Sequence, residues 1–104
     1  MSDNYILDGH APVHEPDILK WASWFEQAGR DGRRVVKKTR IGNVEISTVF
    51  LGLDHRFGRS GPPLLFETMI FGGEADEDCW RYATWEQAEG GHEEAVALVK
   101  AMKE

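Results

Sequence analysis

The chain has 104 residues, a formal net charge of −6 and an aromatic content of 11%. This length allows one domain with a single core, and the aromatic content argues against intrinsic disorder. Cys79 is the only cysteine, so an internal disulfide is excluded. No apolar stretch approaches the roughly 18 residues of a spanning helix, and no signal pattern opens the chain. We therefore expect a cytoplasmic protein without a membrane partner.

The first third of the chain predicts a short strand followed by a helix. Residues 5–7 (YIL) are a strand candidate that ends at the turn pair Asp8-Gly9, and residues 10–15 are expected to form a loop. Apolar residues recur at helical spacing from Asp17 to Ala28, and Gly29 is expected to end this helix. The aromatic stripe of the helix should pack on a sheet.

A β-hairpin is predicted in the middle of the chain. Gly42-Asn43 is typical of a two-residue hairpin turn, and it joins the alternating segments 33–41 and 44–51. The expected register pairs Ile41 with Val44, Arg40 with Glu45, Thr39 with Ile46 and Val35 with Phe50. Oppositely charged residues and apolar residues then face each other across the two strands.

The second half predicts two further strands and a long helix. Residues 64–71 are apolar on both faces, which favours a central strand covered on both sides, and residues 79–83 are a plausible last strand. Thr84 and Gln87 have the spacing of a capping box at the start of a helix. Gly90-Gly91 inside that helix predicts close packing or a kink, because glycine disfavours helix interiors.

Together these elements predict an α+β domain that spans residues 1–104 in the order β-α-β-β-β-β-α. A single, mainly antiparallel sheet of four or five strands should carry both helices.

Four stretches have a recognisable pattern: YILDG, WASWFE, TVFLGLDHRFGRSGPPLLFETMIFGG and YATWEQAEGGH. In these stretches the chain resembles a recurring family of small phage and prophage proteins, and the similarity extends along nearly the whole chain. The family is uncharacterised and implies no catalytic residues, but it implies expression in the cytoplasm of a bacterial host. Small phage proteins are often accessory factors that bind host or phage macromolecules, including inhibitors of host defence systems.

The loop between the two central strands carries one set of candidate residues at its tip, namely Asp54, His55, Arg56 and Phe57. These residues either fold the loop or contact a protein partner. Asp54 and His55, with Glu67 on the next strand, are also residue types that bind metals. They suggest a small metal-dependent hydrolase as an alternative. Their spacing matches no defined motif, so we expect no metal, no cofactor and no enzymatic activity.

His92-Glu93 begins like a zinc-protease helix, but Val96 stands where the second histidine belongs. His92 is therefore expected to be a half-buried residue on the packing face of the last helix.

Two charged segments are candidate binding surfaces of opposite sign. One is acidic and consists of Glu74, Asp76, Glu77 and Asp78; the other is basic and consists of Arg33, Arg34, Lys37, Lys38 and Arg40. An acidic surface can bind a basic groove on a protein, whereas a basic strand can follow the phosphates of a nucleic acid. Either segment is also consistent with a solvated surface.

The pattern as a whole predicts a non-enzymatic accessory protein that acts by protein–protein binding. Its abundance of aromatic residues supports this expectation, because aromatic residues dominate contact energies. Nucleic-acid binding through the basic strand and the metal-dependent hydrolase remain as alternatives, and homodimerisation through an edge strand or the tryptophan-rich helix is a further one.

Overall fold

The computed structural model describes residues 4–54 and 61–103 and confirms the α+β class. Its elements are β1 (Tyr5–Asp8), β2 (Ala11–His14), α1 (Ile18–Asp31), β3 (Val35–Ile41), β4 (Val44–Phe50), β5 (Phe66–Phe71), β6 (Cys79–Tyr82) and α2 (Trp85–Lys103). The last four strands form an antiparallel sheet in chain order, and β1 and β2 form a separate two-stranded sheet.

The two-stranded sheet corrects the predicted single sheet. β1 pairs with β2, a segment that was expected to be a loop, and Asp8 lies opposite Ala11 across a turn in which Gly9 has a φ of +62°. Pro12 is tolerated there because an edge strand leaves one side of the backbone without ladder partners.

Helix α1 packs against β1 and one end of the main sheet, so the expectation of two helices across one sheet was wrong. The indole Nε1 of Trp21 donates to the carbonyl oxygens of Tyr5 and Gly52, at 3.1 and 3.2 Å. Leu19, by contrast, is 79% exposed, so part of the predicted apolar stripe faces solvent. The helix also runs past Gly29 to a left-handed cap at Gly32.

The central hairpin confirms the predicted register near its turn and departs from it farther away. Ile41, Arg40 and Thr39 lie opposite the expected residues of β4, but Val35 lies opposite Val49 instead of Phe50. A bulge between Val35 and Lys37 causes the shift. It adds Val36 to one strand only, and this side chain packs into the core.

β5 is an interior strand, as predicted, but only one of its faces is buried. Phe66, Thr68 and Ile70 are inaccessible to solvent, whereas Phe71 is 45% exposed. On the same open face Glu67 forms an ion pair with Arg81, with 3.0 Å between oxygen and nitrogen. Helix α2 covers the buried face, and we call the other the open face.

The core under α2 consists of two apolar clusters. One is centred on Ile46, Ile70 and Val99, and the other on Phe50 and Phe66 together with Trp85 and its neighbours. Thr48 and Thr68 separate the two clusters, because each lies between two apolar members of its own strand.

Helix α2 begins with the predicted capping interaction. The hydroxyl oxygen of Thr84 accepts from the amide of Gln87 at 3.0 Å, while the Gln87 side chain accepts from the amide of Ala83 at 3.1 Å. The two inner glycines differ. A Cβ at Gly91 would overlap the ring and hydroxyl of Tyr82, whereas a Cβ at Gly90 would meet nothing within 4 Å. Close packing therefore explains Gly91 but not Gly90.

We expect the two glycines to respond in opposite ways to alanine. Gly90→Ala should raise the free energy of unfolding by about 1 kcal/mol, because alanine is the better helix former and space is available. Gly91→Ala should lower it by about 1–3 kcal/mol, since the new methyl group displaces Tyr82. Urea denaturation of both variants measures the difference, and equal effects would contradict the close contact at Gly91.

Candidate functional site

A chain of polar side chains crosses the interface between α2 and the main sheet. The Nε2 of His92 lies 2.8 Å from the hydroxyl of Thr39, and its Nδ1 lies 2.7 Å from the hydroxyl of Thr48. Thr48 and Thr68 are joined hydroxyl to hydroxyl at 2.6 Å, and Tyr82 interacts with Thr68. Each strand of the sheet thus contributes one hydroxyl, and the helix contributes the imidazole.

His92 has a structural role in this series of hydrogen-bonded side chains. Its side chain is fully buried, whereas the sequence predicted a half-buried one, so it cannot reach a substrate from its present position. A neutral imidazole has one donor and one acceptor, and the rotating hydroxyls can satisfy both by pointing in either direction along the chain.

Burial lowers the pKa of His92, because the charged form loses its hydration inside the core. Glu93 acts in the opposite direction and Lys37 in the same direction as burial, and both have smaller effects. The folded protein therefore favours the neutral imidazole at pH values where an unfolded chain begins to bind a proton.

The stability of the protein should accordingly decrease as the pH falls below about 6.5, the ordinary pKa of histidine. In that range the unfolded state binds a proton that the folded state does not bind. The decrease in stability ends once the pH reaches the lowered pKa of His92. Thermal unfolding between pH 8 and about pH 5 tests this, with His92→Gln expected to flatten the dependence and His14→Gln to retain it. An unchanged slope in His92→Gln would contradict the assignment.

The residues of the hydrolase alternative have other partners where the structure describes them. The carboxylate of Asp54 accepts from the amide of Leu64 at 3.0 Å, and Glu67 is paired with Arg81. His55, like Arg56 and Phe57, lies outside the described residues. Within residues 4–54 and 61–103 no three histidine, cysteine, aspartate or glutamate side chains are grouped closely enough to hold a metal.

The basic segment does not form one continuous surface. Arg34 lies 3.8 Å above the ring of Phe25, and Arg33 pairs with Asp31 at 2.9 Å. Lys37 pairs with Glu93 on α2, and this contact lowers the pKa of that carboxyl group.

The two remaining cations, Lys38 and Arg40, lie on the open face, where Arg40 is opposite Glu45. Three of the five candidate cations therefore already have partners within the protein.

The acidic segment forms an ordered turn, which we call the acidic loop (residues 74–78). The amide and carbonyl of Ile70 bond to Asp78 and Glu77, at 3.0 and 2.8 Å. Ala75 is 4% exposed and anchors the loop in the core, while its four acidic residues are all exposed. Asp76 also accepts from the amide of Gly72 at 2.6 Å.

Glu77 has a φ of +72°, a left-handed conformation that costs a residue with a side chain about 1–2 kcal/mol. No other residue with a side chain has a positive φ in the described part of the chain. The loop thus holds a carboxylate at a position where glycine would be more stable.

An apolar cleft of about 210 Å³ adjoins the acidic loop. Val44, Ala75, Val99 and Met102 line it, and Glu74 stands at its side. The sequence did not reveal this cleft, because it joins the start of β4 to the end of α2. Met102 is the last residue of the apolar stripe of α2, and its side chain is 42% exposed, whereas core residues are buried.

The structure separates the two predicted candidate regions. The acidic loop follows Phe71, beside the Val44 end of β4, whereas Asp54 lies beyond the Phe50 end of the same strand. The two regions are therefore at opposite ends of the main sheet.

No described helix combines the length and apolar character needed to cross a membrane. Comparison with family models, with curated proteins and with solved structures gave no significant match.

Proposed function

We propose that this protein acts without catalysis, by binding another protein through the acidic loop and the adjoining apolar cleft. The observation that carries the proposal is the pairing of the two features: exposed carboxylates on an ordered turn beside an apolar recess. The carboxylates would attract a basic segment of the partner, and the cleft would bury an apolar side chain from it.

The size of the cleft favours a protein partner over a small molecule. Its volume of about 210 Å³ lies below the range of roughly 300–1,000 Å³ that is usual for small-molecule pockets. A recess of this size suits one anchoring side chain, while the surrounding surface supplies the remaining contacts.

The resemblance to phage and prophage proteins supports a host or phage macromolecule as the partner, in the cytoplasm of the bacterial host. Inhibition of a host defence system is one activity that such binding would produce. The partner should present lysine or arginine residues, since the loop concentrates four acidic residues within five positions.

The surface can be tested by reversing its charge. The variant Glu74→Lys, Glu77→Lys and Asp78→Lys leaves Asp76 in place, so the bond to Gly72 is preserved. We expect capture of specific host proteins, identified by mass spectrometry after pull-down, to fall by about tenfold or more.

A matched control variant carries the same change in net charge on the exposed side of α2, at Glu86, Glu89 and Glu94. It should capture the same proteins as the unmodified chain. If both variants lose or retain the same proteins equally, the acidic loop is not the contact surface.

A substitution at Glu77 should change stability and partner binding in opposite directions. Glu77→Gly should raise the free energy of unfolding by about 0.5–1 kcal/mol, because relief of the left-handed conformation exceeds the added entropy of the unfolded chain. The same variant should weaken partner capture, since it removes one carboxylate. Chemical denaturation and pull-down measure the two effects, and stabilisation with unchanged capture would remove Glu77 from the contact surface.

A further inference from the structure

Strand β6 forms one edge of the main sheet. In the part of the chain that the structure describes, no strand lies beyond it, and its residues are exposed or half-buried. The acidic loop leads into this strand without a break, since the exposed Asp78 directly precedes Cys79. An edge strand carries main-chain donors and acceptors that another chain can use. The edge is therefore continuous with the acidic surface of the function proposed above.

The hydrogen bonds between β5 and β6 show which main-chain groups of the edge point outward. The amide of Ile70 donates to the carbonyl oxygen of Asp78 at 3.0 Å, just before β6 begins. In an antiparallel pair, successive residues of a strand alternate in the side to which their main-chain groups point. The N–H and C=O groups of Cys79 and Arg81 are therefore directed away from β5, toward the outer side of the sheet.

The charges on the two edges of the main sheet distinguish β6 from β3. β3 carries Lys37, Lys38 and Arg40, and cationic side chains on an edge strand oppose the addition of another strand. The only charged residue of β6 is Arg81, which is paired with Glu67 on β5 at 3.0 Å. β6 is thus the edge that can better accept a further strand.

Trp80 provides an apolar contact beside these main-chain groups. It lies opposite the buried Thr68, which places it on the side of the sheet that α2 covers, yet it is 39% exposed. A residue of an added strand would lie directly beside it, and aromatic residues pair favourably with β-branched residues across two strands. The edge therefore favours an apolar, β-branched residue at this position.

We propose that β6 binds an extended, basic segment of the partner protein, which adds to the main sheet as an antiparallel strand. Main-chain bonds to Cys79 and Arg81 hold the segment, an apolar residue packs on Trp80, and lysine or arginine residues contact the acidic loop. A second copy of this chain fits less well, because each copy has a net charge of −6 and the two would repel. This mode of binding rests on the function proposed above, because the acidic loop is part of the contact.

A synthetic peptide tests the pairing without altering the protein. The capped peptide Thr-Val-Thr-Val-Thr-Lys-Lys-Lys alternates as an added strand requires, and in the antiparallel direction its lysines lie beside the acidic loop. In the ¹⁵N-labelled full-length chain, the peptide should slow hydrogen exchange at the outward amides of Cys79 and Arg81. The amides of Trp80 and Tyr82 point toward β5, so they should change little and serve as internal references.

Two methylated forms of the peptide have the same charge and composition and differ in the main-chain donors that they keep. N-methylation of the third and fifth residues removes the donors that face β6 and should weaken binding by about tenfold or more. N-methylation of the second and fourth residues blocks donors that face away from β6 and should leave binding almost unchanged. Equal binding of the two forms, or no binding of the unmethylated peptide, would overturn the proposal.

The charge-reversed variant of the acidic loop distinguishes a failure of strand pairing from a failure of the proposed function. It should bind the unmethylated peptide about tenfold more weakly, whereas the control variant of α2 should bind it unchanged. If charge reversal weakens binding but the two methylated forms bind equally, the acidic loop is a contact surface and pairing with β6 is wrong. If methylation matters and charge reversal does not, neither the basic character of the segment nor the role of the acidic loop is correct.

Sedimentation of the free protein tests a second copy as the occupant of the edge. We expect a monomer, because of the net charge of −6 on each copy. A dimer that the peptide dissociates would assign the edge to a second copy and overturn the proposal.

Discussion

Helix α2 has a defined position on the main sheet, because both ring nitrogens of His92 must meet threonine hydroxyls on two different strands. Apolar contacts alone would allow neighbouring positions, since the hydrophobic effect has no direction. Moving the helix by one residue would separate the buried imidazole of His92 from the hydroxyls of Thr39 and Thr48. Each unsatisfied group would then cost about 1–3 kcal/mol, a large part of the stability of a small domain.

The ends of α2 take their positions from this central contact. Gly91 allows the helix to pack closely against Tyr82. The hydrogen-bonded polar side chains lie between the two apolar clusters of the core. At one end of the helix Trp85 packs in the core beside β1, and at the other end Val99 and Met102 line the cleft beside the acidic loop. The buried contact of His92 therefore helps to position the end of α2 that lines this cleft.

The sequence could predict the parts of the fold that depend on local patterns. The hairpin turn and the register next to it follow from Gly42-Asn43 and from alternation, and the cap of α2 follows from Thr84 and Gln87. The bulge at Val36 could not be predicted, because it depends on a core pocket built by distant residues. The pairing of β2 was also missed, because Pro12 and two histidines beside it resemble a loop more than a strand.

The sequence predicted the exposure of the acidic residues but not the contacts that the basic residues make within the protein. The two groups differ in their surroundings. Residues 74–78 form a tight turn beyond the end of the sheet, with only Ala75 directed into the core. Their carboxylates therefore face water. In the basic segment, Arg34 lies over the ring of Phe25 on α1, and Lys37 on β3 pairs with Glu93 on α2.

Long cationic side chains on a strand can fold onto neighbouring elements, whereas short acidic side chains on a protruding turn have few such neighbours. The acidic loop thus keeps its four acidic residues exposed, whereas three of the five cations of the basic segment have partners within the protein.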